Sequence, residues 1–176
     1  MIGAVIALAG CGGDGRAARE PAKAPAGFAT AAGDRWSFAY PRDWQRIDVE
    51  AERGEEIAGF QSPPGANGLA SQVGIGVKDG ARDELAVAVR LAKDQSRIVY
   101  PGYEILAERA VDVGGAEAHR IDARYDSFQD EPAEVRTADL LVRTPDGLQL
   151  NLFVRGPAAD FDRLGLARIL DTLRVR

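Results

Sequence analysis

Two runs of residues, 134–143 and 148–155, flank the tetrapeptide Thr144-Pro145-Asp146-Gly147. Proline followed by aspartate and glycine is turn chemistry, because proline presets φ and glycine supplies a positive one. The segment 134–155 therefore reads as a β-hairpin, and a hairpin commits its neighbourhood to antiparallel pairing. Gly114-Gly115 makes a second such turn, between 103–113 and 116–126. In the latter run His119, Ile121, Ala123 and Tyr125 share one face, and Arg120, Asp122 and Arg124 share the other.

The same period of two recurs upstream. Trp36, Phe38 and Tyr40 alternate with Ser37 and Ala39 before Pro41 ends the strand. A short strand, 57–61, stops at Pro63-Pro64. Val73, Ile75 and Val77 alternate with Gly74 and Gly76, so one face of that strand is bare and open to close approach by another backbone or a packed helix.

Two segments break the strand pattern. Residues 83–98 carry a wide apolar arc of Leu85, Val87, Ala88, Val89, Leu91, Ala92 and Ile98, with Arg90, Lys93, Asp94 and Arg97 opposite. Asp83 and Glu84 suit the positive end of a helix dipole, Arg97 suits the negative end, and Pro101-Gly102 stops the helix. A second helix is expected from about Asp160, as its cap, to Leu173. The predicted fold class is α+β: a central antiparallel sheet of about six strands with helices packed on its faces.

The amino terminus has a different character. The apolar run Ile2 to Ala9 leads into Leu8-Ala9-Gly10-Cys11, and Cys11 is the sole cysteine among 176 residues. An apolar segment, two small residues and a cysteine form a bacterial lipoprotein signal, in which the thiol takes the lipid. No basic residue precedes the apolar run, a departure from such signals that an upstream natural start would remove. Gly12, Gly13, Asp14 and Gly15 cannot extend a helix, and a membrane span needs about 20 apolar residues. Residues 1–10 are thus expected to be a signal peptide and 11–33 a lipidated cysteine with a flexible tether, leaving 34–176 as the folded domain. Such a tether reaches roughly 26 Å root-mean-square. Two or three acyl chains, at about 0.8 kcal/mol per buried CH2, anchor firmly. Localisation at the outer face of a cell membrane follows. Abundant Ala, Gly, Arg and Asp with little Lys suit a GC-rich bacterium.

A resemblance spans about residues 35–175. Trp36-Ser37-Phe38-Ala39-Tyr40-Pro41-Arg42-Asp43-Trp44 resembles the opening strand and turn of PsbP-like domains. Val113-Gly114-Gly115-Ala116-Glu117-Ala118 resembles their central hairpin, and Phe161 through Arg174 their closing helix. With the cysteine motif in front, the chain is similar to bacterial lipoproteins of the LpqN type, found in actinobacteria. The resemblance implies a sheet between helices and a role in binding or assembly at a membrane, without catalysis. It supplies no catalytic residue.

The chemistry legible in the residues agrees. One histidine, His119, on the apolar register of its strand, reads as structural, and no Gly-x-Ser-x-Gly elbow or second cysteine is present. Zinc needs more His or Cys ligands than this. Asp126, Asp130, Glu131 and Glu134 match no calcium-loop spacing and read as a solvated loop. Gly74-x-Gly76-x-x-x-Gly80 has the wrong spacing for a nucleotide fingerprint. A net charge of −5 without a basic patch excludes nucleic acid as a partner. No cofactor or metal is expected. Trp36 and Trp44 read as packing residues, with a ligand platform as the other reading. Arg90, Lys93 and Arg97 form a basic stripe that could meet anionic lipid or a partner, or be merely solvated. The expected function is a non-enzymatic, lipid-anchored envelope protein that binds another envelope protein through the sheet edge or the loops. The alternative is a carrier or sensor of an apolar ligand held between sheet and helix 83–98.

Overall fold

The computed structural model describes residues 25–48 and 55–176. Cys11, the signal peptide and most of the tether lie outside the described residues. The strands are β1 (Phe28–Ala32), β2 (Trp36–Pro41), β3 (Gln45–Ile47), β4 (Glu55–Gln61), β5 (Gln72–Lys78), β6 (Glu104–Val113), β7 (Ala116–Asp126), β8 (Glu134–Arg143), β9 (Gln149–Pro157) and β10 (Arg174–Val175). Helix α1 spans Leu85–Val99 and α2 spans Ala158–Leu164, followed by a 3-10 helix at Leu166–Thr172.

Seven strands form the main sheet in the order β3-β4-β5-β9-β8-β7-β6, and three form a small sheet, β1-β2-β10. All pairings are antiparallel. The fold is thus α+β, as expected, with one more strand in the main sheet and a second sheet that the alternation did not reveal. Both hairpin turns are where glycine demands them. Gly114, Gly115 and Gly147 all have positive φ, and Thr144 closes its turn with Leu148 N donating to its hydroxyl at 3.0 Å.

Antiparallel register puts matched rows of side chains on each face. Val73, Val154 and Ala138 make one row; Ile75, Leu152 and Leu140 make the next; Val77, Leu150, Val142 and Ala118 make a third. These are buried beneath Trp36 and Phe38 of the small sheet and beneath Phe161, Leu166, Ile169, Leu170 and Leu173. Each fully buried valine, leucine or isoleucine among them contributes on the order of 1.5–3 kcal/mol. Trp36 and Trp44 belong to this core, so they pack rather than present a platform.

The opposite face is only half covered. Leu85, Ala88 and Val89 of α1 pack on Ile121, Ala123 and Leu141, over β7 and β8. The buried arc is narrower than the wheel suggested. Leu91 is 57% exposed and Ile98 85%. A helix lying on two strands covers about one third of its circumference, and both residues project from the uncovered part.

Two further expectations are corrected. Phe28–Ala32, placed in the tether by composition, is a strand paired with β2, from Phe28 opposite Pro41 to Ala32 opposite Ser37. The closing helix is two pieces, broken at Gly165 in the left-handed region with φ of 62°. Asp160 does not cap it. Pro157 holds the cap position, and Asp160 sits in the first turn, accepting from Arg163 at 2.7 Å.

Candidate functional site

The uncovered half of the second face lies over β5, β9 and β8. Register sets Gly74, Phe153 and Asp139 in one row, Gly76, Asn151 and Leu141 in the next, and Gln72, Arg155 and Thr137 in a third. The C-terminal half of α1 overhangs this floor. Between them is a cleft of about 290 Å³ lined by Ser96, Tyr103, Thr137, Asp139, Asn151 and Arg155, among others. The lining mixes an acid, an amide and a guanidinium with the apolar Ala92, Val99 and Phe153, so this cleft offers polar partners as well as apolar surface.

Asp139 is the most perturbed group in the cleft. Protein surrounds it, although solvent still reaches part of the residue through the cleft mouth. Burial pushes its carboxyl up to about 6; the Thr137 hydroxyl and the charge of Arg155 oppose that rise, and Asp122 adds to it. Thr137 donates to the carboxylate at 3.2 Å. Asn151 Oδ1 is buried without a hydrogen-bond partner, an arrangement that costs stability unless something fills it. Burial also raises the phenol of Tyr103, with the Asp139 charge adding to it.

Arg155 is held by neutral groups. Its Nε donates to Gln72 Oε1 at 2.9 Å, its Nη1 donates to Tyr100 Oη at 2.9 Å, and its guanidinium lies 5.3 Å from the Phe153 ring centroid. Tyr100 stacks on Tyr125 with centroids 4.4 Å apart. Behind this wall a second cleft, of about 500 Å³, opens between the loops 62–71 and 127–133; Pro64, Leu69, Tyr100, Tyr125, Phe128 and Arg155 are among its lining residues. Phe128 is 69% exposed at its mouth, 6.2 Å from Tyr100 between centroids. Gln129 Nε2 donates to Asn67 O at 3.2 Å and ties the two loops together.

The residues singled out from the sequence are elsewhere. Lys93 reaches across to β6, with Nζ 3.0 Å from Glu108 Oε2. Arg97 pairs with Asp94 on its own helix at 3.2 Å. Arg90 is exposed and forms no ion pair with a described residue. The stripe is thus interleaved with acids and not a cationic patch. His119 is half-buried, its Nε2 3.6 Å from the carboxylate that Lys93 holds; Lys93 first, then His119, keeps Glu108 below the usual carboxylate range. The acidic loop does not converge. Glu134 turns to Arg124 at 3.1 Å, and Asp126 packs against Gly102. No cluster of three possible metal ligands occurs among the described residues. Asp139, Asn151 and Arg155 were not singled out. Their signal was present, as three polar residues in central strands on the face that also carries Leu141 and Phe153.

No protein-family model matches the chain, and no curated protein sequence matches it either. Solved structures do. Cyanobacterial PsbP (CyanoP) from Synechocystis sp. PCC 6803 is similar over 96% of this chain and 99% of its own, with a TM-score of 0.64 at 15% identity. LpqN of Mycobacterium tuberculosis, described as involved in cell envelope biogenesis, is similar over 84% and 90%, with a TM-score of 0.57 at 15% identity. The Saccharomyces cerevisiae Ran-binding protein Mog1p is similar over 84% and 95%, with a TM-score of 0.57 at 11% identity. The fold is PsbP-like.

Proposed function

We propose that this chain is a non-catalytic, lipid-anchored protein of the bacterial cell envelope, held at the outer face of the membrane through Cys11, and that it docks another envelope protein at the loop cleft marked by Phe128. The observation that carries the reading is Phe128 itself. An aromatic ring 69% exposed at the mouth of a cleft costs solvation in the free protein. Aromatic anchors beside pockets are the usual centres of protein interfaces. The loops on either side are tied together by the Gln129–Asn67 bond, so the surface is pre-organised.

Two likenesses support the reading. Mog1p is described as a Ran-binding protein, so this fold can present a protein-binding surface. LpqN is described as involved in cell envelope biogenesis, and the Leu8-Ala9-Gly10-Cys11 motif supports a comparable location for this chain. No helix among the described residues is long and apolar enough to cross a membrane; the anchor in this reading is the lipid on Cys11.

The test is site-directed photocrosslinking in native membranes. A photoreactive phenylalanine at position 128 should yield a discrete adduct with one envelope protein. The same group at Arg90, on the exposed side of α1, should not. Identical adducts from both positions, or loss of no adduct in Leu69→Ala, would reject the loop cleft as the docking surface.

A further inference from the structure

The cleft beneath α1 holds two opposite charges, Asp139 and Arg155, that make no ion pair among the described residues, although the charge of Arg155 acts on Asp139 from nearby. They lie on neighbouring strands one row apart, Asp139 opposite Phe153 and Thr137 opposite Arg155. A carboxylate and a guanidinium this near would be expected to close on each other. Here Arg155 is drawn away by Gln72 Oε1, Tyr100 Oη and the Phe153 ring, and Asp139 is left with the Thr137 hydroxyl.

A third unsatisfied group faces the same space. Asn151 Oδ1 is a buried acceptor without a donor, one row from Asp139 on the adjacent strand. The walls are aromatic: Tyr103, Tyr125 and Phe153. Gly76 leaves the neighbouring floor open, since a Cβ there would meet nothing within 4 Å.

We infer that this cleft binds a small zwitterion of the α-amino-acid class with an apolar or aromatic side chain. Its ammonium group is held by the Asp139 carboxylate and Asn151 Oδ1, and its carboxylate faces Arg155. An ammonium supplies the donors that both acceptors lack. A cation alone would be repelled by Arg155, and an anion alone by Asp139, whereas a molecule carrying both charges a few ångströms apart meets each with its opposite. Charge-assisted hydrogen bonds in a partly dehydrated cleft are stronger than in water. The side chain lies against the tyrosine and phenylalanine rings. This site shares the wall of Tyr100, Tyr125 and Arg155 with the docking surface proposed at Phe128 but not Phe128 itself, and it is tested without reference to that surface.

The experiment uses the full chain carrying Cys11→Ser, isotopically labelled, titrated with three probes that share one ring: L-phenylalanine, 2-phenylethylammonium and 3-phenylpropionate. L-Phenylalanine should give saturable amide shifts centred on Thr137, Asp139, Asn151 and Phe153. Its affinity should exceed that of either half-charged analogue by about tenfold or more. Asp139→Asn should lower that affinity by a similar factor. Because it removes a buried charge, this variant should be at least as stable as the parent, so a loss of binding cannot be ascribed to unfolding. Asn151→Leu, which removes the unpaired acceptor lining the cleft, is a second variant expected to weaken binding. The inference is overturned by equal affinity for L-phenylalanine and either analogue, by unchanged affinity in Asp139→Asn, by shifts centred elsewhere, or by no saturable shift at millimolar L-phenylalanine.

Discussion

The ring of Phe153 lies directly on Gly74. A Cβ at position 74 would sit 2.6 Å from Phe153 Cζ and 2.8 Å from Cε1. The neighbouring glycine on the same face, Gly76, has nothing within 4 Å. Two glycines alike in sequence thus serve different ends. One makes room for the end of an aromatic ring, and the other leaves bare the neighbouring floor beside Asn151 and Leu141.

The pair makes a direct test. Gly74→Ala should destabilise the protein by about 1–3 kcal/mol, because the ring must leave its place or the strands must part. Gly76→Ala should be neutral or slightly stabilising, since alanine is better than glycine in an extended strand with room for a methyl. Urea denaturation of both variants checks this. Equal effects at the two positions would mean that Phe153 is free to move.

The aspartate at the same row carries a pH signature. Its carboxyl titrates near 6 in the folded protein, raised by burial, against 3.8 as the ordinary value. The folded state therefore holds the proton more tightly than the unfolded state between those values, and stability falls as pH rises through about 4 to 6. The total is about 3 kcal/mol as an upper bound, less where solvent enters the cleft. Asp139→Asn should lose this slope and be the more stable protein at neutral pH. Thermal melts of parent and variant from acid to neutral pH decide it. Parallel curves would show that the carboxylate is well solvated.

Much of this fold was written in local patterns. β6 to β9 follow from two glycine-bearing turns and the apolar runs around them, and their ends fall close to where those turns place them. β1 could not be read in that way. Phe28-Ala29-Thr30-Ala31-Ala32 carries no alternation, and it is a strand because Ala31 meets Phe38 and Thr30 meets Ala39 across the small sheet. β10 is two residues that pair with β2 from the far end of the chain. Contacts this distant leave no local trace. The rotation of α1 was hidden for the same reason. Its wheel offers a broad apolar arc, and only the position of β7 and β8 decides that Leu85 and Val89 are covered while Leu91 and Ile98 are not. The cleft was half legible. Asp139 and Asn151 break the apolar register of central strands, yet whether such residues face a cleft or a packed helix depends on that same rotation.

The anchor has its own test. The protein expressed from its natural start should incorporate labelled palmitate and partition into detergent. Cys11→Ser should remove the label and leave uncleaved precursor. Labelling that survives in the serine variant would remove the basis for a lipid anchor, and with it the proposed location.

The basic residues of α1 call for separated substitutions. Reversing Arg90, Lys93 and Arg97 together would confound two effects, because Lys93 is bound to Glu108, whose carboxylate also lies 3.6 Å from His119 Nε2. A glutamate at 93 would face Glu108 directly, so Lys93→Glu should lower the melting temperature by itself. Arg90 and Arg97 can be changed without that penalty, since Arg90 is exposed and Arg97 pairs only with Asp94 among the described residues. With Asp94 and Glu108 interleaved, the helix face has little net positive charge to offer anionic lipid, and interactions between exposed charges are further screened by salt. The double variant Arg90→Glu/Arg97→Glu, in the Cys11→Ser chain, should therefore change its association with phosphatidylglycerol vesicles by less than about twofold at physiological salt. A large loss of vesicle binding that disappears at high salt would show that this helix face meets the membrane after all, and would turn the loop cleft and the mouth of the α1 cleft toward the lipid surface or away from it accordingly.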